Sequence, residues 1–155
     1  MNVQMKAVTR ENWEEALSLK VKAAQSRFVP EPAVSLAKVY IKPDGDNVQY
    51  IPFAIYNQKQ MVGFIMHAYI ENTANMYWIN GFMIDEKHQG KGYGKAALDG
   101  MISWIIKTFP VCKEIRLTVH RENHMAMGLY EKYGFVPLGE AIGEEDVWSL
   151  TVSKR

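Results

Sequence analysis

Gln89-Gly90-Lys91-Gly92-Tyr93-Gly94-Lys95 follows the apolar run Phe82-Met83-Ile84 and opens a segment with helical periodicity. Glycine at alternate positions lets the backbone approach a ligand closely. At a strand-to-helix junction the N–H groups of the first helical turn lack intrahelical partners and converge on one spot. A helix N-terminus so built binds phosphate. The stretch reads as an anion cradle.

Upstream of it lie three extended segments, Gln49 to Tyr56, Met61 to Ile70 and Met76 to Ile84. The polar connections Asn57-Gln58-Lys59-Gln60 and Asn72-Thr73-Ala74-Asn75 separate them, so the three predict a meander. Gly81 inside the last strand predicts a bulge. Further upstream, Val3 to Thr9 predicts a strand, and Thr9-Arg10-Glu11-Asn12 a cap before a helix carrying Trp13, Ala16, Leu17 and Val21. Pro30 and Pro32 break the chain before a second helix from about Ala33 to Tyr40, and Lys42-Pro43-Asp44-Gly45-Asp46 supplies turn chemistry.

Downstream, Ala96, Ala97, Leu98, Met101, Ile102, Ile105 and Ile106 describe a wide apolar helical face ended by Phe109-Pro110. Glu114 to His120 alternates as a strand, and a short helix from about Met125 to Tyr133 is closed by Gly134. Phe135 to Leu138 and Val147 to Val152 predict the last strands.

At 155 residues and 17.8 kDa, with 48% apolar residues, the whole chain 1–155 suits one globular domain. A net charge of +1 gives no global field to gather nucleic acid or an anionic membrane, so neither is expected as a partner. Cys112 is the lone cysteine and reads as an inert thiol. No signal-peptide core follows Met1 and no run approaches the ~20 apolar residues of a spanning helix, so the expected location is cytoplasmic. His88, His124 and Cys112 show no ligand spacing, and no metal is expected.

The glycine loop alone does not name its anion. A Walker loop requires a hydroxyl after its lysine, and Ala96 follows Lys95. Gly92-Tyr93-Gly94-Lys95-Ala96-Ala97 satisfies a dinucleotide fingerprint in letters, with Lys113-Glu114 near the expected acidic position, but a meander precedes it instead of an early parallel strand.

Gln89-x-x-Gly92-x-Gly94 after the Phe82-Met83-Ile84 strand, followed by Glu122-Asn123-x-x-Ala126-x-x-Leu129-Tyr130-Glu131-Lys132-x-Gly134-Phe135, resembles the GCN5-related N-acetyltransferases. The resemblance implies an α/β (α+β) fold: a mixed, mostly antiparallel, seven-stranded sheet flanked by about four helices, with a splayed strand pair holding acetyl-CoA. It implies that Gln89, Gly90, Lys91, Gly92, Tyr93, Gly94 and Lys95 hold the pyrophosphate, with Lys91 and Lys95 adding charge. Phe82, Met83 and Ile84 would pair with the pantetheine through main-chain groups. Asn123 and Lys132 complete the cofactor contacts, and Tyr130 faces the sulfur as general acid.

Acetyl transfer to an amine also needs the amine neutral. Where many members of the family carry a glutamate on the fourth strand, this chain has Asn80, which cannot take a proton. Glu71, Asp85, His67 and His120 are alternatives, and the base stays unassigned. The strand Tyr77 to Asp85 and the loop are most similar to bacterial spermine/spermidine acetyltransferases, which implies a polyamine acceptor, with another small amine, an aminoglycoside, a protein amine or a non-catalytic CoA sensor as alternatives. A polycation requires carboxylates and aromatic faces, for which Glu31, Glu71, Trp78 and Asn80 are the candidates, with Phe28, Tyr40 and Tyr69 beside them. Exposed strand edges near the C-terminus suit a homodimer.

Overall fold

The computed structural model describes residues 2–153. Seven strands form one sheet: β1 (Gln4–Ala7), β2 (Val48–Asn57), β3 (Gln60–Ile70), β4 (Tyr77–Ile84), β5 (Glu114–His120), β6 (Val136–Ile142) and β7 (Glu145–Thr151). Their order is β1-β2-β3-β4-β5-β7-β6, and every neighbouring pair is antiparallel except β4–β5. The meander of β2, β3 and β4 arises from short polar turns, whereas the parallel pair needs a crossover, supplied by α3 (Tyr93–Thr108).

The helical period of the segment after the glycine loop places Ala97, Leu98, Met101, Ile102 and Ile105 on one buried face of α3. They pack on Ile65 of β3, Tyr77 of β4 and Leu117 of β5, and α4 (His124–Tyr133) adds Tyr130 to the same core. Alternation along the strands sends Ala54, Phe64 and Met66 to the opposite face, under α1 (Trp13–Ser18) and α2 (Pro32–Ile41). Removing one such side chain, as in Ile102→Ala, costs about 2–5 kcal/mol. The two-layer cover explains why β3 is buried from Met61 to Ala68.

The first helix stops at Ser18 and does not reach Val21. Its expected cap, Asn12, accepts from the Thr9 N–H at 2.7 Å and donates to the Ala7 carbonyl at 3.2 Å and the Tyr56 hydroxyl at 3.3 Å, so it ties the loop to the β1–β2 edge and makes no side-chain cap. The strand expected over Phe135 to Leu138 runs instead to Ile142, because β7 templates a stretch with no alternation of its own, with an irregularity between Pro137 and Ala141. Gly134 closes α4 at φ +115°, as its position predicts.

Candidate active site

The parallel strands β4 and β5 pair only at Trp78–Arg116 and Ile79–Leu117 and then part. The cause lies one residue on. Met66 pairs with Asn80 and Phe64 with Met83, so Gly81 and Phe82 together oppose Ile65 and form the expected bulge. Gly81 has φ +60°, and a Cβ there would lie 2.6 Å from the Ser35 hydroxyl oxygen on α2. Glycine therefore allows both the bend and the close approach of α2.

The gap is the mouth of a cleft of about 680 Å³. Of the residues expected at the cofactor, Phe82, Met83, Ile84, Gln89, Gly90, Gly92, Tyr93, Gly94, Asn123 and Tyr130 all line it, as do Trp78 and Asn80 from the acceptor set. Gly92, at φ +89°, is the N-cap of α3 and offers no side chain to the first-turn amides. Tyr93 and Gly94 of that first turn line the cleft, an arrangement that fits a pyrophosphate. Beyond Ile79 the β4 edge facing β5 has no ladder partner, which fits an extended ligand laid along it.

Two carboxamide and carboxylate anchors hold the loop. Asp85 is buried and accepts from the backbone N–H of Lys20 at 3.0 Å and of Lys87 at 3.2 Å. Gln89 donates to the Ile84 carbonyl at 2.9 Å and exchanges side-chain bonds with Gln25. The Ile84 carbonyl is thus engaged by the protein itself. The Tyr93 hydroxyl accepts from Asn57 at 2.8 Å, directing that ring into the core.

Asn123 caps α4, accepting from the Ala126 N–H at 3.4 Å. Tyr130 is buried and lines the cleft. Burial first, and then the negative charge of Glu145, hold its phenol well above the usual tyrosine range. At neutral pH the phenol is protonated.

Lys91 is exposed, and Lys95 and Lys132 border a separate depression between α3 and α4. Glu31 sits exposed at the start of α2 and Glu71 exposed after β3, both outside the cleft lining. Phe28 and Tyr69 line the cleft, whereas Tyr40 stands 92% exposed.

Asp85, His67 and His120, three of the four candidate bases, are held in structural roles. Asp85 is engaged as above. His67 is buried in an aromatic stack with Tyr69 and Tyr77, its Nδ1 at 3.0 Å from the Trp78 carbonyl, and burial pushes its pKa down to about 4. His120 accepts the Glu122 N–H at Nδ1, at 3.1 Å, which assigns the proton to Nε2 and its bond to Glu144 at 3.0 Å. Cys112 is buried with its thiol pushed up to about 11, chiefly by burial, in keeping with an inert thiol.

Sequence reasoning missed Gln25, Thr118 and Glu145, all of which line the cleft. Gln25 lies in a one-turn helix, Ala23–Gln25, that carries no periodic signal. Glu145 sits in the charged run Glu144-Glu145-Asp146, where only the β5–β7 register decides which carboxylate points inward. Among the described residues no group of side chains could hold a metal ion, and no helix is long and apolar enough to cross a membrane.

Comparison with known proteins agrees with this geometry. Residues 12–135 match the Acetyltransferase (GNAT) family. The chain is 32% identical over 145 residues to the spermine/spermidine N(1)-acetyltransferase of Bacillus subtilis, covering 90% of this chain and 91% of that protein. In structure it is similar to a spermidine N-acetyltransferase from Vibrio cholerae solved with CoA and spermine, with a TM-score of 0.73 at 23% identity, covering 97% and 95% of the two chains. It is also similar to the PaiA N-acetyltransferase of Thermoplasma acidophilum solved with coenzyme A, with a TM-score of 0.69 at 16% identity over 98% and 100%. The chain belongs to the GNAT family and is an acetyl-CoA-dependent N-acetyltransferase.

Proposed function

We propose that the acceptor is a primary amine of a polyamine such as spermine or spermidine, and that Tyr130 protonates the departing sulfur. The observation that carries the second part is the position of Tyr130, buried on α4 and lining the cleft where β4 and β5 part. The 32% identity to a spermine/spermidine acetyltransferase along nine-tenths of the chain supports the first.

Acetyl-CoA supplies the acyl group as a thioester. Amides of Gly92, Tyr93 and Gly94 would bind its pyrophosphate, Gln89 and Gly90 shaping the loop, with Lys91, Lys95 and Lys132 adding positive charge nearby. Main-chain groups of Phe82, Met83 and Ile84 would align the pantetheine, and Asn123 would border it. Trp78 and Asn80 line the acceptor side, where an indole face suits an ammonium. Glu31 and Glu71, outside the lining, would act on a polycation only from the surrounding surface. No carboxylate on β4 and neither engaged histidine supplies a base for the amine.

A free buried thiol suits the reducing cytoplasm. The edge strand β6 exposes Val136 and Ile142 and would pair with a second copy in a homodimer. Light scattering on the purified chain tests the latter. The test of function is a thiol-release assay with acetyl-CoA and spermine, spermidine, short diamines, aminoglycosides and peptides. Preferential turnover of polyamines is expected, and thiol release with none of the amines would refute the reading.

A further inference from the structure

The polar face of the split sheet carries a carboxylate that the foregoing chemistry does not use. In the β5–β7 register, Leu117 faces Trp148 and both side chains enter the core under α3 and α4. Alternation therefore turns Thr118, His120 and Glu145 to the other face, which β4 continues with Trp78 and Asn80. Thr118 and Glu145 line the cleft.

The Glu145 carboxylate is held from one side. Thr118 donates its hydroxyl hydrogen to Oε1 at 2.7 Å. His120, its cross-strand neighbour, gives its Nε2 to Glu144 instead, and the guanidinium of Arg121 goes to Asp146. Among the described residues no lysine, arginine or histidine forms an ion pair with Glu145. A carboxylate facing a cleft, with one oxygen fixed by a neutral hydroxyl and no counter-ion among the described residues, suits a cation. Its field also reaches Tyr130.

The geometry points to Glu145 as the residue that receives the ammonium form of the acceptor amine beside Tyr130, with Thr118 fixing the carboxylate rotamer. The inference rests on the amine-acceptor reading and makes it more specific. Glu145 acts by positioning: it draws the protonated amine to the split between β4 and β5, from which the neutral fraction reacts. Thr118 is a positioning residue acting through Glu145.

The experiment compares wild type, E145Q and T118V by calorimetric titration with spermidine in the presence of coenzyme A, together with steady-state kinetics and titration with acetyl-CoA. A charge-assisted bond lost in E145Q is expected to weaken spermidine binding roughly tenfold or more and to raise the acceptor KM in step. Acetyl-CoA affinity is expected to stay within about twofold, and T118V to show a few-fold effect on spermidine of the same kind. Wild-type spermidine affinity is expected to fall with ionic strength more steeply than that of E145Q. Spermidine affinity unchanged in E145Q, or acetyl-CoA affinity lost alongside it, overturns the assignment. If E145Q does not fold, T118V decides by the same criteria. Because titration does not need turnover, a protein that binds spermidine through Glu145 but releases no thiol refutes the enzymatic reading alone.

Discussion

Gln25 and Gln89 exchange two side-chain hydrogen bonds: the Gln89 amide donates to Gln25 Oε1 at 2.9 Å, and the Gln25 amide donates back to Gln89 Oε1 at 3.2 Å. Gln89 belongs to the glycine loop, while Gln25 belongs to the segment that brings Phe28 and Val29 to the opposite wall of the cleft. That segment has two further ties, Arg27 to Glu122 at 2.5 Å and Phe28 against the His120 ring at 5.0 Å. The amide pair joins the glycine loop to the segment that carries Phe28 and Val29.

Truncating each partner therefore has a distinct outcome. Gln25→Ala leaves the Gln89 bond to the Ile84 carbonyl and loosens only the acceptor wall, so the acceptor KM is expected to rise about three- to tenfold with acetyl-CoA affinity nearly constant. Gln89→Ala removes the bonds to both Gln25 and Ile84, and both constants are expected to worsen. Steady-state kinetics with calorimetric titration separates the two, and equal effects of both variants on acetyl-CoA would remove the distinction.

Tyr130→Phe keeps the buried ring and deletes the proton. If the hydroxyl is the general acid, kcat is expected to fall about 10²- to 10⁴-fold with acetyl-CoA affinity retained. Because burial and Glu145 raise the phenol pKa, its acid form persists as pH rises, and no alkaline loss of activity from Tyr130 is expected below about pH 10. Wild-type turnover in the Phe variant would assign Tyr130 to packing.

The order of elements and the helix start at the glycine loop were legible because local chemistry fixes them: alternation in β2 to β4, the apolar face of α3, and the glycines before it. The cleft's outer wall was not. Gln25 acts through a partner 64 residues away, and Glu145 is distinguished from Glu144 and Asp146 only by strand register. Glu31 and Glu71 were chosen by charge and chain position, and neither determines whether a side chain points into a cleft. Asn12 has the letters of a helix cap, yet bonds to the β1–β2 edge win.

Gly81→Ala tests the origin of the strand split. A Cβ at φ +60° is strained, and it would meet the buried Ser35 hydroxyl at 2.6 Å, so either the bulge flattens or α2 moves. A loss of about 1–3 kcal/mol is expected, a fall in Tm of roughly 2–12 °C for a chain of this size. Acetyl-CoA binding should weaken as well, since the split depends on the bulge. Gly81→Ala combined with Ser35→Ala removes the clash, since the Ser35 Cβ itself would lie at an ordinary 3.5 Å, but not the strain, and partial recovery of Tm is expected; no recovery would exclude contact with the Ser35 hydroxyl as a cause.

His67 gives the fold a pH dependence of definite sign. Its Nδ1 donates to the Trp78 carbonyl, and its Nε2 is buried among Tyr69, Tyr77, Trp104 and Phe109 with no hydrogen-bond partner among the described residues. Protonation would place a charged N–H among aromatic rings, so burial lowers its pKa from 6.5 to about 4. The unfolded chain takes up the proton first as pH falls. The stability contributed by neutral His67 is therefore complete above pH 6.5 and lost as pH drops toward 4. About 2 kcal/mol is expected to disappear between pH 7 and pH 5, read as a shift in urea midpoint. His67→Phe keeps a ring in the stack and cannot titrate. It loses the bond to Trp78, so its stability at pH 7 can differ from wild type, but the pH-dependent loss should shrink by that same amount. An equal acid shift in both proteins would assign the dependence to other groups.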